Sequence, residues 1–106
     1  MIKYQGETIA FEVPIPFAQS EVERAIVYFY THQSFVSKHS IDAGDGYHMM
    51  TFDGDTLKGT IPMEDTLMMQ GVLKMDVMVV DNKGLRHIDS PTTDVRIENR
   101  PITNEK

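Results

Sequence analysis

The chain has 106 residues, of which 41% are hydrophobic and 25% are charged, and it contains no cysteine. A chain of this length and composition is expected to fold as one globular domain, and without cysteine it has neither disulfides nor thiolate metal sites. Its net charge of -6, with basic residues scattered singly, argues against binding to nucleic acid or to an anionic membrane.

The N-terminus has no apolar segment of signal-peptide length, and no stretch approaches the roughly 18 apolar residues of a membrane span. We therefore expect synthesis in the cytoplasm and no membrane partner. One domain is expected over residues 1–98, followed by a polar C-terminal tail over residues 99–106.

The first predicted strand contains Ile9, Phe11 and Val13, which alternate with other residues as in a half-buried strand. Residues 20–31 support two interpretations. The segment begins with a sequence of capping-box form, followed by apolar residues at helical spacing, as in an amphipathic helix. Its unbroken β-branched and aromatic run, "IVYFYT", favours a strand.

Further along the chain, Leu57, Gly59 and Ile61 alternate after the turn residues 53–55. Pro62 then precedes polar residues that interrupt the alternation. We expect one short helical turn near residues 63–67.

Residues 72–88 predict a hairpin. Four alternating apolar side chains point to the core, residues 81–84 supply the turn, and residues 85–88 form the partner strand. A closing strand is expected around Val95 and Ile97. The predicted core residues of the hairpin are Leu73, Met75, Val77 and Val79.

Strands recur about every ten residues with turn signals between them, which is typical of an antiparallel sandwich or barrel. The order of these segments also resembles a known family. Residues 23–98 are similar to the small immunoglobulin-like domain of tailed-phage structural proteins, in particular the N-terminal domain of the baseplate upper protein family. The segments that carry the resemblance are "AIVYFYT", "FVSKHSI", "TLKGTIPMEDTLMMQG", "VLKMDVMVVD", "NKGLRHI" and "DVRI".

Within these segments, residues 64–66 match the family's "edT" turn, and Gly71, Asp76 and Gly84 match its other marked positions. The resemblance implies an all-β, immunoglobulin-like antiparallel β-sandwich. It also implies a virion structural protein, such as a baseplate, head-fibre or decoration component, which works by protein–protein assembly. Its partners would be other virion proteins and copies of itself, as a dimer or trimer.

The sequence contains no clear catalytic or metal-binding motif. The histidines at positions 32, 39, 48 and 87 lack the spacing of a metal motif, and residues 42–46 and 53–55 lack the distal Glu of a calcium loop. The eight methionines are better explained as side chains that pack in the core or at an interface than as ligands of a copper ion. No serine has the context of a nucleophile. We expect no enzyme activity and no cofactor.

Two surfaces are candidates for function. An assembly surface is predicted on the polar face of the hairpin and the methionines before it, formed by Lys74, Asp76, Met78, Met68 and Met69. The alternative function is a small ligand- or carbohydrate-binding accessory module. Its aromatic platform would be formed by Tyr28, Tyr30 and Tyr47.

Overall fold

The computed structural model describes residues 1–32, 34–42, 44 and 46–99, and in these the fold is all-β, with the sheets packed in a sandwich-like arrangement. A 3₁₀ turn at Gln19–Glu21 and a single helical turn, α1 (Met63–Thr66), interrupt the strands. The strands are β1 (Ile2–Tyr4), β2 (Ile9–Pro14), β3 (Val22–Tyr30), β4 (Ser37–Ser40), β5 (His48–Met49), β6 (Thr51–Asp53), β7 (Thr56–Ile61), β8 (Gly71–Asp81), β9 (Arg86–Asp89) and β10 (Thr92–Glu98).

The strands form two sheets of unequal size. The larger sheet has the order β1-β10-β8-β3-β4-β5, and β9 pairs with the second half of β8, beyond the end of β10. The smaller sheet has the order β2-β7-β6. The apolar faces of both sheets contribute to one continuous hydrophobic core.

The smaller sheet confirms the strands that were predicted from alternating residues at positions 9–13 and 57–61. Cross-strand neighbours share a face of a sheet, and the register pairs Ile9 with Ile61, Phe11 with Gly59 and Val13 with Leu57. Gly59 leaves room for the ring of Phe11, because a Cβ atom at this position would lie 2.7 Å from Phe11 Cζ. The ring of Phe11 then reaches across to the larger sheet, where its centroid lies 4.7 Å from that of Phe29.

Residues 22–30 form a strand, so the helical interpretation of residues 20–31 is wrong beyond the 3₁₀ turn. Ala25, Val27 and Phe29 are buried on the core side, whereas Tyr28 and Tyr30 lie on the opposite side. In a helix, Ala25, Val27 and Phe29 would point in different directions. In a strand, residues two positions apart point to the same side, so all three side chains can pack between the sheets.

The hairpin and the helical turn are confirmed. β8 and β9 are joined through residues 81–85, where Gly84 has a positive φ of 81° and its N–H donates to the carbonyl of Asp81 at 2.9 Å. Leu73, Val77 and Val79 are buried, and the half-buried Met75 packs against the core.

The larger sheet departs from the antiparallel expectation at both ends. β1 runs parallel to β10, and β5 runs parallel to β4. The parallel β1 is held by Arg96, whose N–H donates to the carbonyl of Met1 at 2.9 Å. Local alternation carries no information on strand direction, so this could not be predicted. Of the predicted tail, Asn99 follows β10 without regular structure, and residues 100–106 lie outside the described residues.

Candidate assembly surface

The larger sheet has one side against the core and one side away from it, which we call the outer face. On β3 and β8, the residues of the outer face are Arg24, Ile26, Tyr28, Tyr30, Val72, Lys74, Asp76, Met78 and Val80. Their positions follow from the register, because each residue opposite another across the pair shares its face. The outer face therefore mixes apolar, aromatic and charged side chains.

Three of the predicted assembly residues lie on the outer face. Lys74 is exposed, whereas Asp76 is half-buried and accepts hydrogen bonds from two hydroxyl groups. Tyr30 Oη donates to Asp76 Oδ2 at 3.1 Å, and Ser90 Oγ donates to Asp76 Oδ1 at 2.7 Å. Met78 is half-buried between Ile26 on β3 and Ile88 on β9.

The two methionines after α1 differ from each other. Met68 is 57% exposed in the loop before β8, whereas Met69 is 1% exposed and belongs to the core. Met69 is therefore removed from the predicted surface, because no partner can reach its side chain in the folded protein. The loop turns Met69 inward, and Gln5 Nε2 donates to its carbonyl at 2.9 Å.

The three platform tyrosines are all half-buried. Tyr28 and Tyr30 lie two residues apart on the outer face, and the hydroxyl oxygens of Tyr28 and Tyr47 are 3.0 Å apart. The hydrogen bond to Tyr47 and burial raise the pKa of Tyr28, while burial and the hydrogen bond to Asp76 raise that of Tyr30. Asp76 thus joins the tyrosine platform to the assembly residues, although the two were predicted as separate surfaces.

The most exposed apolar residue on the strands of this sheet is not among the predicted assembly residues. Ile88 on β9 is 71% exposed and lies opposite Met78, which in turn lies opposite Ile26. We call these three residues the apolar row. The hairpin register could have revealed Ile88, because a two-stranded ribbon that places Met78 outside also places its cross-strand partner outside.

A second cluster of polar residues lies on the core side of β4. Ser37 Oγ donates to Asp65 Oδ2 at 2.6 Å, and His48 Nε2 lies 2.7 Å from the same oxygen. Ser37 Oγ also lies 2.9 Å from His39 Nε2. A hydroxyl has a single proton, and Ser37 gives it to the carboxylate, so His39 Nε2 must be the donor to Ser37.

This proton arrangement distinguishes the cluster from a nucleophilic site. A serine nucleophile needs a histidine that accepts its proton, but here His39 donates to Ser37, and Ser37 itself is 1% exposed. Burial and the neighbouring His48 lower the pKa of His39 to about 4, although Asp65 acts in the opposite direction. We interpret the cluster as a structural connection between β4, β5 and α1.

Thr66 completes this connection from α1. Its Oγ1 accepts a hydrogen bond from the Gly6 N–H at 3.0 Å and donates to the Glu7 carbonyl at 2.8 Å. Asp65 and Thr66 belong to the "edT" turn noted in the sequence. Their side chains therefore join the helical turn to both β4 and the loop after β1.

In the described part of the chain, no three His, Asp or Glu side chains form a group suited to holding a metal ion. None of the helices there has the length and apolar character needed to cross a membrane. Comparisons with family models, curated proteins and solved structures find no match to this chain.

Proposed function

We propose that the protein is a structural component of a tailed-phage virion and acts by binding neighbouring proteins of the particle through its outer face. Its partners would be other virion proteins and further copies of itself, after synthesis in the cytoplasm of the host. The resemblance of residues 23–98 to phage structural domains suggests the setting. The observation that carries the assembly role is the outer face itself.

Apolar side chains are exposed on and beside that face. Val72 on β8 is 50% exposed, and Ile2 on β1 is 57% exposed. Both lie opposite Arg96 of β10, which runs between them, so the two side chains share the outer face. Ile88 is exposed at the other end of β8. Exposed apolar residues flanked by charges are typical of surfaces that bind other proteins, because burying them against a partner releases water from apolar surface.

The test is mass spectrometry of phage particles purified on a density gradient from a lysate of the organism that encodes the chain. We expect peptides of the chain to follow the major particle proteins through the gradient at a fixed ratio. Abundant cytosolic proteins, which should be lost from the particle fractions, provide the control. If the chain is missing from particles whose other components are detected, the proposal is wrong.

A ligand-binding module, with carbohydrate as a candidate ligand, is the second proposal. The observation that favours it is the pairing of Tyr28 with Tyr47, beside which Lys38 Nζ lies 5.8 Å from the centroid of the Tyr47 ring. A glycan array tests this proposal. Tyr47→Ala should abolish binding and Tyr4→Ala, at an exposed tyrosine on β1, should preserve it. An array without a bound glycan, or binding unchanged by Tyr47→Ala, would refute the module.

A further inference from the structure

β9 has a free edge. Among the described strands it pairs only with β8, and all four of its residues, Arg86–Asp89, are exposed. A free edge carries unpaired N–H and C=O groups that can bind another strand, and natural proteins protect most such edges with charges or proline. Pro91, which has no N–H, limits the edge at its C-terminal end.

The ladder with β8 identifies the backbone groups that are free. The Asp81 N–H donates to the Leu85 carbonyl at 3.0 Å, and the register continues in single steps through Val79 opposite His87. Hydrogen-bonded and non-hydrogen-bonded pairs alternate along an antiparallel ladder. The N–H and C=O groups of Arg86 and Ile88 must therefore point away from β8, toward the free edge.

We propose that this edge binds the β9 strand of a second copy of the chain, in antiparallel orientation about a two-fold axis at Ile88. This identifies a partner for the proposed assembly surface and rests on that function. In this register Ile88 lies opposite the partner's Ile88 and exchanges both backbone hydrogen bonds with it. The larger sheets of the two copies then become one continuous sheet.

The outer face supports this register. The apolar row ends at Ile88, so the two-fold axis joins two such rows into one uninterrupted apolar band across both copies. Beside the band, Arg86 lies opposite the partner's Ser90. Ser90 Oγ is bound to Asp76 at 2.7 Å, which places a carboxylate next to the incoming guanidinium.

The inner side of β9 is complementary as well. The same register places His87 opposite the partner's Asp89, and symmetry repeats the pairing. An axis at His87 would instead place His87 opposite the partner's His87 and Leu85 opposite the partner's Asp89. Of these two registers, only the one centred on Ile88 places a carboxylate opposite His87, whose Nε2 also lies 3.0 Å from Asp81 Oδ2 of its own chain. This pairing of unlike groups favours the register centred on Ile88.

The pairing extends over residues 86–90, so the interface is small and the dimer should dissociate on dilution. Sedimentation velocity over a series of concentrations tests the proposal. We expect the purified chain to show a reversible monomer–dimer equilibrium. A chain that stays monomeric at the highest concentration would overturn the proposal.

Two substitutions test the residue at the axis. Ile88→Asp brings two carboxylates together, and Ile88→Pro removes an N–H that points away from β8. Each should weaken association by at least about tenfold, since like charges oppose pairing across strands and proline cannot donate a hydrogen bond. Met63→Asp introduces the same charge at an exposed apolar residue of α1, outside the outer face and away from β9, and should associate like the wild type. Circular dichroism should show that all variants are folded.

Equal association of the wild type and both Ile88 variants would place the dimer contact elsewhere and overturn the proposal. Hydrogen exchange gives a second measurement, in which dimerisation should slow exchange at the amides of Arg86 and Ile88. The two proposals fail separately. A monomeric chain that is present in particles refutes only the dimer, whereas a dimeric chain that is absent from particles refutes only the virion role.

Discussion

Ser37 donates a hydrogen bond of 2.6 Å to the carboxylate of Asp65, and this contact connects β4 to the helical turn before β8. The two residues are 28 positions apart in the chain. The carboxylate also lies 2.7 Å from His48 Nε2, and its side chain is only 13% exposed. Loss of this acceptor would remove the hydrogen-bond partner of the Ser37 hydroxyl, which is 1% exposed, and of the half-buried His48.

We therefore expect Asp65→Ala to lower the free energy of unfolding by about 1–3 kcal/mol, the usual cost of unsatisfied buried polar groups. Urea unfolding followed by circular dichroism measures the change. Glu64→Ala is the matched control, because Glu64 is the exposed neighbour in α1 and its loss should change stability by less than about 0.5 kcal/mol. Equal effects of the two variants would show that the contact does not stabilise the fold.

The burial of His39 predicts an acid-sensitive fold. Its pKa is lowered to about 4 in the folded chain, against an ordinary value of 6.5. The unfolded chain therefore binds a proton between these two values while the folded chain does not, so stability falls as the pH decreases from 6.5 toward 4. A shift of this size corresponds to a loss of about 3 kcal/mol.

Urea unfolding at a series of pH values tests this expectation. His39→Leu removes the titrating group and should flatten the stability profile between pH 6.5 and 4. His32→Gln, at an exposed histidine, should keep the wild-type profile. A His39→Leu profile as steep as that of the wild type would assign the acid sensitivity to other groups.

The close approach of Phe11 to Gly59 predicts a strong steric effect. Gly59→Ala places a methyl group 2.7 Å from Cζ and 3.0 Å from Cε2 of Phe11, whose ring is held against Phe29 and His39. Overpacking of this kind costs about 1–3 kcal/mol. Thermal unfolding of Gly59→Ala should show a lower midpoint.

Gly44→Ala is the control for this steric effect. The nearest atom to an added Cβ at Gly44 is 3.8 Å away, which is ordinary van der Waals contact, so the midpoint should stay close to the wild-type value. If Gly59→Ala is as stable as the wild type, the ring of Phe11 has room to move.

The side of β8 that faces the core can be tested with a charge. Val77 is buried between the sheets, and Val77→Asp places a carboxylate there without a partner. We expect a loss of at least about 4 kcal/mol, enough to unfold a domain of marginal stability. Lys74→Glu, at an exposed position of the same strand, should remain folded. Full thermal stability of Val77→Asp would mean that the other side of β8 faces the core.

Much of the fold was predicted from the alternation of apolar residues. The hairpin of β8 and β9, the strand of residues 9–14 and the helical turn after Pro62 lie where the pattern places them. These predictions succeed because a strand that packs on one side must alternate with a period of two, and because tight turns demand residues such as Gly84.

The contacts that matter for the site were decided by tertiary structure. The sequence does not reveal that Ser37 meets Asp65, that Met69 turns inward while Met68 stays exposed, or that Asp76 joins Tyr30 to the assembly residues. Alternation determines which side of a strand is buried, and it is a local property. Which strands become neighbours, in which direction and register, depends on how the whole chain fills one core, and only that packing brings distant side chains together.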